Sequence, residues 1–176
     1  QPYELQGRKH KIIENYYGEK FAPTEAQNKN FVAGTRVLKW KNIPVLEEVF
    51  VDGEVVLSGA QLDLERVTHD AFLEKIKQSY AVIISSLGDI SPNTILDAIR
   101  CDKPFIVTKE TGLYDRIKPI ALFVDPKSIK DIREKVLWLA NDKNYEIQCK
   151  KVQDFTFTHT WEEIAQEYIN LYQEIK

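Results

Sequence analysis

The run AVIISSLGDISPNTILDAIRCDKPFIVT, residues 81–108, decides the fold. From Tyr80 to Ser85 the chain is apolar without interruption, the pattern of a strand buried on both faces of a parallel sheet. Ser91-Pro92 predicts a helix start, with Ser as the cap and Pro in the first turn. That helix carries Ile95, Leu96 and Ile99. Pro104 to Thr108 is a second buried strand. The unit is strand, polar loop, helix, strand.

The same alternation extends in both directions. Phe31 to Arg36 reads as a first strand, and residues 42–50 as a helix with Ile43, Val45, Leu46, Val49 and Phe50 at helical spacing. Glu54 to Leu57 reads as a second strand closed by Ser58-Gly59, and a short strand is expected near Leu64 to Val67. Thr68 is a cap for a helix over 69–79. Leu122 to Val124 is a last strand. Helices follow at 129–139, 147–152 and 161–175, the last with Ile164, Tyr168, Ile169 and Tyr172 inward. Before the first strand, residues 12–17 read as a short helix ended by Gly18, and 21–30 as a loop. Residues 1–30 are thus an N-terminal segment and 31–176 one domain. The expectation is an α/β, three-layer Rossmann-like domain with a mostly parallel sheet built from 31–36, 54–57, 80–85, 104–108 and 122–124. In such sheets ligands sit outside the carboxyl ends of the strands. The loops after Val37, Leu57, Ser85 and Thr108 are therefore the ones to read for function.

The 176 residues are 43% hydrophobic and 29% charged, enough apolar surface for a core and too much for general disorder. With 24 Lys and Arg against 27 Asp and Glu, the net charge of −3 is not the basic footprint of a nucleic-acid binder. No apolar run approaches the roughly 20 residues a membrane span needs. Cys101 and Cys149 form no CxxC pair and read as thiols of a reducing compartment. Three His without metal-ligand spacing argue against a metal site. Neither GxGxxG nor a P-loop is present. The chain opens on Gln1 and contains no Met, which suggests a fragment or processed chain without a signal peptide. The basic run at 8–11 reads as a solvated face, with anion or membrane contact as the alternative.

Two constellations carry chemistry. The first is the loop from Ser85 into the helix after Pro92. Backbone N–H groups at Asn93 and Thr94 suit an anion, aided by the helix dipole. Asp89 lies in the loop and Asp97 in the helix. Carboxylates are poor neighbours for phosphate but good acceptors for sugar hydroxyls. The pair suggests a ligand with both phosphate and polyol parts. The bland alternative is a turn-capping Asp89 and an exposed Asp97. The second constellation is Arg36 and Lys41, two cations able to stabilise a leaving diphosphate, against the alternative of a solvated basic loop. That alternative is accepted for Lys39. Trp40 shapes this loop or caps the core edge, and His69 reads as a surface helix start.

In order, these pieces resemble the C-terminal, donor-binding domain of GT-B retaining glycosyltransferases of group 1, or family 4, over residues 31–176. The family's G-R-L-x-x-x-K-[GN] is met by Gly34-Thr35-Arg36-Val37-Leu38-Lys39-Trp40-Lys41-Asn42, with one extra residue after Gly. Its two Glu, separated by seven residues in a P-S-x-x-E-x-x-x-N-x-x-x-E-A frame, are met by Asp89 and Asp97, with Ser91-Pro92-Asn93 and Asp97-Ala98 as the frame. Cys101 to Thr108 match C/G-x-P-[VF]-[IV]-[AV]-T. Gly112 and Asp115 match the G-x-x-E turn. Phe157, Thr158 and Trp161 match F-[ST]-W with two residues inserted. Both Glu are Asp here, one methylene shorter, and the stretch from Lys41 to Ser85 is short, so one βα unit is expected to be abbreviated.

The resemblance implies one half of a GT-B fold that binds a nucleotide-diphosphate sugar, UDP- or GDP-linked, as substrate, without metal or other cofactor. Arg36, Lys41 and Asp89 would be catalytic. Asp97 would hold the ribose, Ser91, Asn93 and Thr94 the phosphates, and Arg66, Val67 and Thr68 would border the base. The full enzyme would transfer a hexosyl group, with retention, to a glycan or lipid-linked acceptor held by a missing N-terminal domain. It would be cytoplasmic, touching the inner membrane face only through that missing half. The final helix, reaching toward that half, would leave an apolar patch exposed. A degenerate, non-catalytic sugar-nucleotide-binding or interaction module is the alternative, and a flavodoxin-like or receiver-like domain a third.

Overall fold

The computed structural model describes residues 13, 15–26, 28–34 and 38–175. In chain order these hold β1 (Asn30–Val32), α1 (Ile43–Phe50), α2 (Gly53–Leu57), β2 (Gln61–Asp63), α3 (His69–Gln78), β3 (Ala81–Ile84), α4 (Asn93–Arg100), β4 (Phe105–Thr108), α5 (Tyr114–Ile117), β5 (Leu122–Val124), α6 (Ile129–Ala140), α7 (Asp142–Asp154) and α8 (Trp161–Ile175). The strands form one sheet in the order β2-β1-β3-β4-β5. Every pairing in it is parallel.

Alternation along β3 explains the layers. Ala81 and Ile83 face a core of Phe31, Leu46, Val49, Ile106 and Val136, under α1, α2 and α6. Val82 and Ile84 face the opposite core of Ile76, Ile95, Ile99, Phe105 and Val107, under α3 and α4. A strand covered on both faces has no polar side, so its sequence is a continuous apolar run. β1 pairs with β2 on one side and with β3 on the other. The chain therefore leaves β1 and β3 in opposite directions, which opens a crevice at their carboxyl ends.

Asn42 braces that edge. It lies between a 3-10 turn at Lys39–Lys41 and α1, in the left-handed region at φ 59°. Asn tolerates this conformation better than other side-chain-bearing residues. Its Nδ2 donates to Ser85 O at 3.1 Å, just past β3, and to Pro126 O at 2.7 Å, just past β5.

The architecture agrees with the sequence expectation, and several local readings are corrected. Residues 54–57 are not a strand. They form α2, which Asp52 opens by accepting from Glu54 N at 3.0 Å. Only Val55 of this segment is buried. The second strand is 61–63, and Leu64 to Val67 is irregular. The first strand is described over 30–32, and Thr35, Arg36 and Val37 lie outside the described residues. Residues 15–17 are not helical; Tyr17 instead forms an antiparallel bridge with His159. Pro92, not Ser91, holds the cap position of α4. α7 starts at Asp142, capped by Asn141. On α8, Tyr168, Ile169 and Tyr172 are exposed rather than inward, and Trp161 is 64% exposed, so the expected apolar patch is present. No helix of the described residues is long and apolar enough to cross a membrane.

Asn42→Ala should destabilise the domain by about 2–3 kcal/mol, from two lost hydrogen bonds and a left-handed Ala. Asn42→Gly should recover about 1 kcal/mol of that, because Gly carries no left-handed penalty. Urea unfolding of the three proteins measures the ranking. Equal stabilities would show that Asn42 does not brace the edge.

Candidate functional site

The crevice is a cleft of about 500 Å³. It is lined by Gly34 after β1, Trp40 and Lys41 before α1, Arg66 and Val67 before α3, His69 at the start of α3, and Asp89, Ser91, Asn93, Thr94 and Asp97 around the start of α4. The residues singled out from sequence thus meet in one place, with two exceptions. Thr68 is not in the lining; it caps α3, its hydroxyl accepting from Ala71 N. Arg36 lies outside the described residues.

Lys41 and Asp89 are paired, Nζ to Oδ2 at 2.7 Å, and Lys41 Nζ also sits 4.1 Å from the centre of the Trp40 ring. Asp89, on the loop between β3 and α4, is held against the loop after β4. Its N–H donates to Glu110 O at 2.9 Å and its C=O accepts from Gly112 N at 3.1 Å. Gly112 is required there, because a Cβ would lie 2.2 Å from Ile90 O.

Asp97 is different. It is 9% exposed, and its closest charged neighbour is Arg100, Nη1 to Oδ1 at 3.6 Å. No hydrogen bond to its carboxylate forms among the described residues. Burial pushes its pKa above the ordinary carboxylate value, against the opposing pull of His69 and Arg100. A nearly buried carboxylate with empty acceptor sites wants hydroxyl or N–H donors.

The start of α4 is also unfilled. Pro92 offers no side-chain cap, and the N–H groups of Asn93 and Thr94 have no acceptor among the described residues. Such groups attract an anion. Two hydroxyls that sequence reasoning passed over lie behind them. Ser85 and Ser86, each 1% exposed, have Oγ atoms without partners among the described residues. They floor a narrow extension of about 20 Å³ beside Gly34, Lys41 and Thr94. Two Ser closing an apolar strand at the carboxyl edge of the sheet were the available signal. A second cavity of about 410 Å³ shares His69, Asn93 and Asp97 with the cleft and is walled by Tyr16, Trp161 and Tyr168. Asn15, which lines it, was also not anticipated. Among the described residues no group of three or more His, Cys, Asp or Glu is placed to hold a metal ion.

No known protein-family profile matches the sequence. No curated protein matches it either. Solved structures do match in fold. Sucrose-phosphate synthase from Thermosynechococcus elongatus aligns at 14% identity with a TM-score of 0.60, over 86% of this chain and 46% of that one. A variant of TarM from S. aureus, in complex with fondaparinux, α-GlcNAc-glycerol and UDP, aligns at 18% and 0.67, over 91% and 38%. The catalytic domain of starch synthase IV from Arabidopsis thaliana, bound to ADP and acarbose, aligns at 15% and 0.61, over 85% and 39%. These neighbours are GT-B glycosyltransferases. The chain spans less than half the length of each. Its fold is the α/β, Rossmann-like fold found in them.

Asp97 yields a test of whether its burial serves the fold. Because the raised pKa belongs to the folded state, that state binds the proton more tightly than the unfolded chain. Stability from this group is gained as pH falls through the folded value and lost as pH rises through it. Asp97→Asn should therefore raise Tm at pH 7, by about 2–4 °C for about 1 kcal/mol. The gain should vanish at acid pH, where both forms are neutral. Thermal melts across pH measure it, and a variant less stable than the parent at pH 7 would make Asp97 a structural residue.

Proposed function

We propose that this chain binds a nucleotide-diphosphate sugar, UDP- or GDP-linked, as the donor half of a retaining glycosyltransferase of group 1 or family 4. The observation that carries the reading is Asp97: a nearly buried carboxylate without a hydrogen bond, beside uncapped N–H groups and a cation. A nucleoside diphosphate asks for that set, with donors at the phosphates and an acceptor at the ribose, within one ligand's length. The likeness to GT-B glycosyltransferases, and the fact that the chain spans under half of each, support a donor half.

In this reading the diphosphate takes the N–H groups of Asn93 and Thr94 and the ammonium of Lys41, joined by Arg36. Asp97 accepts from the ribose, and Arg66 and Val67, but not Thr68, border the base. Asp89 neutralises Lys41. An arriving diphosphate competes for that ammonium and frees the Asp89 carboxylate for hydroxyls of the hexosyl group. Lys41 and Arg36 then stabilise the leaving diphosphate as its bond to the sugar breaks. The acceptor, a glycan or lipid-linked saccharide, is held by a domain beyond this chain, and no metal takes part.

Calorimetric titration of UDP, GDP and ADP is the test. UDP or GDP should bind, and Asp97→Ala should weaken binding about tenfold, the loss of a charge-assisted hydrogen bond. Asp89→Asn should do the opposite for the free nucleotide, tightening it about two- to fivefold by releasing Lys41. It should give no such gain for the nucleotide sugar. Absence of binding by all three nucleotides would refute the reading.

A further inference from the structure

Asn15 lies on the segment before β1, yet its side chain reaches the turn that opens α4. Its Nδ2 donates to Ser91 O at 3.0 Å and to Asn93 Oδ1 at 2.6 Å. Its backbone N–H donates to Ser91 Oγ at 3.4 Å. One residue thus engages both side-chain oxygens flanking Pro92.

Of the two, Ser91 Oγ is the one that would otherwise cap the helix. The local sequence favours Ser91 as cap and Pro92 as first helical residue. In that arrangement Ser91 Oγ would accept from Asn93 N or Thr94 N, at the second and third helical positions. In the structure the helix starts one residue later, Ser91 is turned to Asn15, and those two N–H groups are left without acceptors. The same cleft and its extension hold the Asp97 carboxylate, which accepts no hydrogen bond among the described residues and has only Arg100 at 3.6 Å, and the Ser85 and Ser86 hydroxyls, which have no partner among them, so the open N–H groups belong to a site with several unmet bonds.

Asn15 is itself fixed from the far side. Its C=O lies 3.1 Å from Nδ1 of His159, whose Nε2 is 3.3 Å from Glu167 on α8. Tyr17 and His159 exchange backbone hydrogen bonds at 3.0 and 3.4 Å. Tyr16 stacks on Trp161 at 5.1 Å with ring planes 4° apart. The brace on the α4 turn is therefore anchored at the base of α8, not within the loop it holds.

We infer that Asn15 is a positioning residue: it holds the side-chain oxygens of Ser91 and Asn93 away from the first N–H groups of α4, so that the Asn93 and Thr94 N–H groups stay open for a phosphate. The phosphate itself rests on the nucleotide reading above; the helix geometry does not. Asn15 touches no ligand in this scheme. It acts by preventing the helix from capping itself.

The experiment uses the full 176-residue chain, 15N-labelled, as parent, Asn15→Ala and Asn15→Asp. Amide hydrogen exchange at Asn93 and Thr94 is read by NMR without ligand. UDP, GDP and inorganic pyrophosphate are then titrated. Asn15→Ala removes the Nδ2 bonds to Ser91 O and Asn93 Oδ1 and leaves Ser91 Oγ only its 3.4 Å contact with the residue-15 backbone N–H. With the turn released, Ser91 should swing in as cap, exchange at both amides should slow severalfold, and Tm should hold or rise. Affinity for pyrophosphate and the bound nucleotide should fall about three- to tenfold, the range of a helix cap's worth. Asn15→Asp keeps the size, loses the donating amide and adds a negative charge, so its affinity should fall further. A residue that merely ordered the loop would give faster exchange on removal, and faster or unchanged exchange overturns the inference. So does unchanged affinity in both variants while Asp97→Ala loses binding, which leaves the nucleotide reading intact. If the parent binds neither nucleotide nor pyrophosphate, the nucleotide reading falls, and the exchange rates still decide the role of Asn15.

Discussion

Parallel pairing of β1 on both of its sides is the constraint from which the molecule follows. A strand with parallel neighbours on both sides cannot be reached by hairpins; each neighbour needs a crossover, and crossovers are right-handed. The path from β1 to β2 runs through α1 and α2 on one face, and the path from β2 back over β1 to β3 runs through α3 on the other. Both faces are then covered, and β3 has no place for a polar side chain. Polar groups accumulate instead at the carboxyl ends, where Ser85 and Ser86 sit at 1% exposure without partners among the described residues.

The cleft at those ends treats its two carboxylates oppositely. Asp89 has a cation at hydrogen-bond distance and a backbone seat that only a glycine at 112 permits. Asp97 has burial and no hydrogen bond. A fold selected for stability alone would not keep Asp97 in this state, since an Asn or Leu would cost less. That asymmetry separates a binding arrangement from a surface ion pair. Asp89 can be exchanged between Lys41 and a ligand, whereas Asp97 gains donors only when a ligand arrives.

Legibility from sequence followed burial. β3, α4 and β4 could be read because a two-sided core writes an unbroken apolar run and leaves no ambiguity of period. The second strand could not. Gln61-Leu62-Asp63 is an edge strand with only Leu62 apolar, while the neighbouring Val55-Val56-Leu57 looks like a strand by composition. Asp52 decides the matter by capping α2, and Val56 and Leu57 are left in solvent. On α8 the helical period was visible, but period alone does not say which face is covered, and Tyr168, Ile169 and Tyr172 are exposed. The cleft was legible where chemistry is local, at Lys41, Asp89, Asn93, Thr94 and Asp97. It was not legible at Asn15.

The misplaced start of α4 shows why. Ser91 is the better local cap, and nothing within ten residues opposes it. What opposes it is Asn15, distant by 76 residues in sequence and held by His159 at the foot of α8. Local preference and tertiary contact thus disagree at one turn, in a chain whose neighbouring elements obey their local signals. Such disagreement persists only where the surrounding structure over-determines it. Here three separate attachments do so: the Asn15 carboxamide, the Tyr17 bridge and the Tyr16 stack on Trp161. The result is a helix end whose first N–H groups have no acceptor among the described residues, set beside a carboxylate that accepts no hydrogen bond among them. Each is costly in isolation, and a ligand with phosphate and hydroxyl groups relieves both at once.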